Sequence, residues 1–186
     1  MESETGLKKD ISEIIITESE LKQKNKKLGQ TITNYYDKSD DIVMVGIMRG
    51  AIIFMADLAR HIDLPVTFDF MDVSSYGNTT ISSGNVRIIK DLEENIEGRH
   101  VLIIEDIIDT GTTLKHIIDM LETREPASIK IVTLLDKPER RVQKEIEVDL
   151  NGFEVPDEFV VGYGLDYAEK YRNLPFIGIL KEEKYS

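Results

Sequence analysis

The sequence predicts an α/β fold with a doubly wound, mainly parallel sheet flanked by helices, and three observations predict it. Short apolar runs alternate along the chain with segments whose apolar residues recur at helical spacing. Two of these runs, Ile42–Met48 and Val101–Glu105, end in polar or glycine-bearing turns that lead into helical patterns. Such turns lie beyond the carboxyl ends of strands, where sheets of this kind bind ligands. The composition, 41% hydrophobic and 31% charged, is that of a globular chain, and 186 residues predict a single domain.

The elements follow in order. Residues 1–10 are polar, predict a loose tail, and are too polar for a secretory signal. Ile14–Ile16 predicts a short strand. Thr17-Glu18-Ser19-Glu20 matches a capping box and opens a helix to about Tyr36, with Leu21, Leu28, Ile32 and Tyr35 facing inward. Ile42–Met48 is a continuous apolar strand ending at Arg49-Gly50, and an apolar helix runs from Ala51 to about His61. Val66–Met71 is the next strand. Ser74–Asn85 is a twelve-residue stretch with two glycines and no charge, the pattern of a functional lid or of a disordered loop. Val86–Lys90, Val101–Glu105, Ile129–Leu135, Phe159–Gly162 and Phe176–Leu180 are further strands. Leu114, Ile117, Ile118 and Leu121 mark an amphipathic helix after the second acidic turn.

Composition also excludes. No apolar run approaches a membrane span, and the expected compartment is the cytoplasm. Zero cysteines exclude disulfides, thiol catalysis and Cys-ligated zinc. His61, His100 and His116 show no metal-ligand spacing. A net charge of −12 argues against nucleic acid, whose backbone demands concentrated Lys and Arg. Lys22, Lys24, Lys26 and Lys27 do cluster, but with Glu18 and Glu20 ahead of them they read as a solvated helix face. An acidic protein that binds an anion must gather its positive potential locally, which directs attention to Arg49, Lys137 and Arg172.

The most informative stretch is Val101–Leu114. Four apolar residues lead to the acids Glu105 and Asp106, then to Asp109 and the small residues Thr110, Gly111, Thr112 and Thr113. A small-residue turn at a helix start offers backbone N–H groups, hydroxyls and the positive end of the helix dipole to a phosphate. Glycine there lets the backbone approach the phosphate oxygens. Carboxylates beside a phosphate make sense if they hold Mg²⁺ or sugar hydroxyls of the same ligand. The pattern asks for a phosphorylated sugar. The plainer alternative is a buried strand, a solvated acidic edge and a helix cap supplied by Asp109.

This motif resembles the ribose-phosphate motif of type I phosphoribosyltransferases. The resemblance is closer to their hypoxanthine-guanine branch and runs from about Ile14 to Ile179. Val45–Ala51, Val73–Gly77, Leu134–Pro138 and Phe159–Tyr167 extend it in family order. It implies transfer of a 5-phosphoribosyl group from phosphoribosyl pyrophosphate to a 6-oxopurine with Mg²⁺. It also implies a small hood formed by the chain termini and a homodimer or homotetramer.

The resemblance implies roles as well. Asp109 would accept the purine proton, while Glu105 and Asp106 hold the ribose hydroxyls directly or through Mg²⁺. Thr110, Gly111, Thr112 and Thr113 would cradle the 5′-phosphate. Arg49-Gly50 would form the pyrophosphate loop, where Lys is commoner than Arg, and Arg172 would supply a second cation. Lys137 would donate to the 6-oxo group, Phe159 would stack on the purine, and backbone groups of Val160 would meet its edge. Asp166 would lie in the purine segment and bind a second Mg²⁺. Ser74, Ser75 and Tyr76 would open the lid over phosphoribosyl pyrophosphate. Two other readings stand beside this one: a nucleic-acid-binding regulator on the same fold, and a transferase for adenine or a pyrimidine. The −12 charge disfavours the first, and Lys137 with Phe159–Tyr167 disfavours the second.

Overall fold

The structure, a computed structural model, describes residues 6–75 and 86–185. Its elements are β1 (Ile11–Ile16), α1 (Glu18–Tyr35), β2 (Ile42–Met48), α2 (Ala51–Ala59), β3 (Val66–Ser75), β4 (Val86–Lys90), β5 (His100–Ile108), α3 (Thr112–Glu122), β6 (Ser128–Asp136), β7 (Leu150–Glu154), β8 (Val160–Val161) and β9 (Ile177–Leu180). Six strands form the main sheet in the order β4-β3-β2-β5-β6-β7. All neighbours are parallel except β3 and β4, which run antiparallel.

Strands covered on both faces read as unbroken apolar runs, and β2 and β5 do so for that reason. Their alternate side chains feed opposite layers. Met44, Leu102 and Ile104 pack under α1 and α2 with Leu21, Ile32, Phe54 and Leu58. Val43, Val45, Val101 and Ile103 pack under α3 with Leu114, Ile117 and Leu121. The Thr17 capping box is present, with the Glu20 carboxylate accepting the Thr17 N–H at 2.8 Å. Tyr35, expected inside, is 62% exposed, while Tyr36 is buried. The helix ends between them, and the extended backbone at Tyr36 turns that ring toward the core.

The termini make a second sheet of three antiparallel strands, β1-β9-β8, the expected hood. Gly6–Asp10 are not loose: they form a 3-10 turn in which Asp10 is buried. The reason is tertiary, because Asp10 receives Lys184 at 3.0 Å and the Tyr171 hydroxyl at 3.0 Å. Several strand boundaries also differ from expectation, and β7 was not expected. Ser74 and Ser75 belong to β3, paired with Arg87 and Val86, so the polar stretch starts as strand. Tyr76 and the rest of the expected lid lie outside the described residues. Strand β5 continues past Glu105 to Ile108 because β6 runs beside it to Asp136. Edge strand β7 carries no apolar alternation and is held by its pairing with β6. Among the described residues, no helix is long and apolar enough to cross a membrane.

Candidate active site

The carboxyl ends of β2, β5 and β6 and the loop after β8 bring the expected residues into two adjoining groups. The first surrounds the turn from β5 into α3. Gly111 is the N-cap residue of α3, with φ +80°, a left-handed conformation that glycine adopts without a Cβ penalty. Ile107 through Leu114, with Glu105, line a cavity of about 120 Å³ at this turn. No side chain at Gly111 caps the first turn of the helix. A tight backbone, hydroxyl groups and a helix N-terminus therefore face one small space, which suits an anion.

Asp109 is not the helix cap; that alternative is corrected by the position of Gly111. Its Oδ1 instead lies 2.6 Å from Arg140 Nε. This is an ion pair, and Oδ1 has no hydrogen-bond partner among the described residues. Lys137 stands next to Asp109 because Ile108 and Asp136 are register partners, and the Lys137 N–H donates to the Ile108 carbonyl at 3.0 Å. The Lys137 ammonium donates to the Glu158 carbonyl at 2.7 Å and lies 3.5 Å from Asp157, which also pairs with Arg140 at 3.1 Å. Phe159 follows at once and is 39% exposed. Val160 is buried and pairs with Ile179, leaving only backbone to meet a ligand.

The second group holds acids and cations. Glu105 is buried, and burial followed by the neighbouring Asp106 charge pushes its carboxyl well above the usual range. Burial likewise raises Asp106 to about 6, although the Ile107 N–H bond and the Arg172 charge pull the other way. Gly50 packs against this carboxylate so closely that a Cβ there would overlap it. Arg49 and Arg172 converge on one atom: Glu169 Oε2 is 3.2 Å from Arg49 and 3.3 Å from Arg172. Arg172 also pairs with Asp166 at 2.9 Å and donates to the Gly164 carbonyl at 2.8 Å. The loop presenting these groups holds Tyr163, Ala168, Glu169 and Tyr171 at positive φ, so backbone strain is concentrated where the charges meet.

Glu105, Asp106 and Asp166 do not form a preassembled metal cage. Among the described residues no three acids or histidines are grouped to hold a metal. Asp166 is turned to Arg172 and to the Glu169 N–H at 2.8 Å. Glu105, buried, and Asp106, half-buried, make no ion pair within the described residues, so both have donor capacity to spare. That set fits Mg²⁺, which commonly takes one or two carboxylates and fills its shell with water and substrate oxygens. Three participants escaped the sequence reading: Arg140 on Asp109, Glu169 between the arginines, and Tyr185 on Phe159. Only Arg140 carried a signal, since it follows three residues after Lys137.

Comparison with known proteins agrees with this geometry. The family described as phosphoribosyl transferase domain matches residues 12–168. The hypoxanthine-guanine phosphoribosyltransferase of Bacillus subtilis (strain 168) is 55% identical over 179 residues, covering 96% of this chain and 98% of that protein. The protein of the same name from Streptococcus pyogenes serotype M3 is 53% identical over 180 residues, covering 97% and 99%. A crystal structure of a hypoxanthine phosphoribosyltransferase from Staphylococcus aureus superposes with a TM-score of 0.94 at 51% identity and 100% coverage of both chains. The chain belongs to the type I phosphoribosyltransferases, in their hypoxanthine-guanine branch.

Proposed function

We propose that the protein moves a 5-phosphoribosyl group from phosphoribosyl pyrophosphate to hypoxanthine or guanine, releasing pyrophosphate. The observation that supports the residue assignment is the backbone bond from Lys137 to Ile108, the residue before Asp109, which itself lines the phosphate-suited turn. Neighbouring residues thereby offer a donor for a 6-oxo group, a carboxylate for the purine proton and a seat for the 5′-phosphate. In the reaction a purine nitrogen bonds to the sugar carbon as the carbon–oxygen bond to diphosphate breaks. Diphosphate leaves with the electron pair, and the purine proton passes to Asp109.

Thr110, Gly111, Thr112 and Thr113 hold the 5′-phosphate on backbone N–H groups and hydroxyls. Arg49 and Arg172 grip diphosphate oxygens in place of Glu169, Arg49 with the planar fork that a Lys lacks. Glu105 and Asp106 hold the ribose hydroxyls and Mg²⁺, and Asp166 takes part in holding a second ion. An ion held there would supply positive charge to offset that of the leaving diphosphate. Lys137 reads the 6-oxo group, Phe159 stacks on the ring, and Val160 meets its edge through backbone. Ser74, Ser75 and Tyr76 open the lid that excludes water from the activated sugar.

The protein acts in the cytoplasm and assembles as a homodimer or homotetramer. The assembly is supported by apolar side chains left in solvent on and beside the β4 edge of the sheet: Phe68, Ile88 and Ile89 are 50%, 37% and 60% exposed. A panel of five nucleobases with phosphoribosyl pyrophosphate and Mg²⁺, read by pyrophosphate release, tests the activity. Turnover with hypoxanthine and guanine and none with adenine or uracil is expected. Turnover of adenine in preference to both would remove Lys137 from its role.

A further inference from the structure

The last turn of the chain reaches back onto the purine side of the site. Glu182–Lys184 form a single 3-10 turn held by the hood. Lys184 pairs with Asp10 at 3.0 Å, the Lys181 N–H donates to the Asp10 carbonyl at 3.0 Å, and Tyr171 donates to the Asp10 carboxylate at 3.0 Å. Asp10 is itself buried, so these ties fix the turn from inside the fold. They deliver Tyr185 onto Phe159, with ring centroids 5.0 Å apart and planes 23° from parallel. Tyr167 meets Phe159 edge-on at 5.4 Å and 89°. Phe159 is anchored at its backbone, where its carbonyl accepts the Leu180 N–H at 2.9 Å. With Tyr185 stacked on one face and Tyr167 perpendicular to the ring, Phe159 is still 39% exposed.

We infer that Tyr185 is a positioning residue for the purine: it backs the Phe159 ring and holds its free face toward the base. This rests on the reading of Phe159 as the stacking residue. A half-exposed Phe on a strand end would otherwise rotate, and only the fraction of time spent in the receptive orientation would count toward binding. An aromatic pair biases such an equilibrium by about 2- to 12-fold. The bias acts on the base alone, since among the described residues the Tyr185 ring meets the rings of Phe159 and Tyr167, on the purine side of the site. The C-terminal turn thereby becomes part of the purine pocket.

The test compares Tyr185→Ala, Tyr185→Phe, Phe159→Ala and the double variant Tyr185→Ala/Phe159→Ala in the full-length protein with hypoxanthine, phosphoribosyl pyrophosphate and Mg²⁺. Tyr185→Ala is expected to raise the hypoxanthine KM by about 2- to 12-fold. Its phosphoribosyl pyrophosphate KM and kcat should stay close to those of the parent. Tyr185→Phe should restore the parent value, because the ring stacks and the hydroxyl does not. Phe159→Ala should raise the hypoxanthine KM at least as far, and adding Tyr185→Ala to it should raise the KM no further. If Phe159→Ala raises the hypoxanthine KM while Tyr185→Ala leaves it unchanged or lowers it, the positioning role of Tyr185 alone is overturned. An equal rise for both substrates would make Tyr185 a structural residue and also overturn the inference. An unmoved KM in Phe159→Ala would overturn the stacking reading itself, and the inference with it.

Discussion

Asp106 costs the folded protein stability, and replacing it should show how much. Its carboxyl is raised from 3.8 to about 6, with burial the largest cause. The folded state binds this proton more tightly than the unfolded chain. The contribution of Asp106 to stability is therefore most favourable at pH values below about 4 and is lost as pH rises through about 6. Each pH unit of that gap is worth ~1.4 kcal/mol, so ionising Asp106 inside the fold costs about 3 kcal/mol at pH 7.5. Asp106→Asn removes the ionisation and keeps an oxygen for the Ile107 N–H, which Asp106 accepts at 2.9 Å. The variant should exceed the parent by up to about 3 kcal/mol at pH 7.5 and by about 2 kcal/mol at pH 5.5. Glu105, pushed the same way, leaves a residual but shallower slope. Urea unfolding at both pH values, without Mg²⁺ or substrate, measures the gap, and the same variant should lose transferase activity. An Asp106→Asn protein no more stable than its parent at pH 7.5 would refute the cost assigned to this charge.

Three more outcomes follow from the site. Lys137→Ala should weaken hypoxanthine and guanine by ~1.5–3 kcal/mol, as for a hydrogen bond to a charged group, with phosphoribosyl pyrophosphate KM nearly unchanged; equal weakening of both substrates would make Lys137 a structural or phosphate residue. Asp109→Asn should lower turnover by about 10²–10⁴ with little change in Tm, since Gly111 is the N-cap and Asp157 still pairs with Arg140. Near-normal turnover in that variant would send the search for the proton acceptor elsewhere. Gly111→Ala places a Cβ on a residue at φ +80°, 3.1 Å from the Ile146 side chain, and should cost ~1–2 kcal/mol in urea unfolding. It should also raise the phosphoribosyl pyrophosphate KM more than the purine KM, and an equal rise would separate Gly111 from the phosphate.

The layers of this fold were legible because buried strands and amphipathic helices carry their own periodicity. Ile42–Met48 and the run from Val101 are apolar without interruption since both faces of those strands are covered, and the Thr17 capping box is complete within four residues. The turn at Gly111 was legible for a similar reason, since strand, small residues and helix are contiguous. Boundaries were less so. Glu105 and Asp106 sit inside β5 although acids commonly end a buried strand, because a parallel neighbour supplies the ladder that the side chains do not announce.

The local sequence determined which residues form strands and helices, where the glycine turn lies and which side chains carry charge. Tertiary structure decided which of those charges meet. Arg140 reaches Asp109, Glu169 reaches both Arg49 and Arg172, and Lys184 draws Tyr185 onto Phe159 by binding Asp10. Most of these contacts join residues far apart in the chain, and no sequence spacing encodes their distance. Even the raised carboxyls of Glu105 and Asp106 are tertiary, because an acid shifts upward only when the rest of the fold takes its water away.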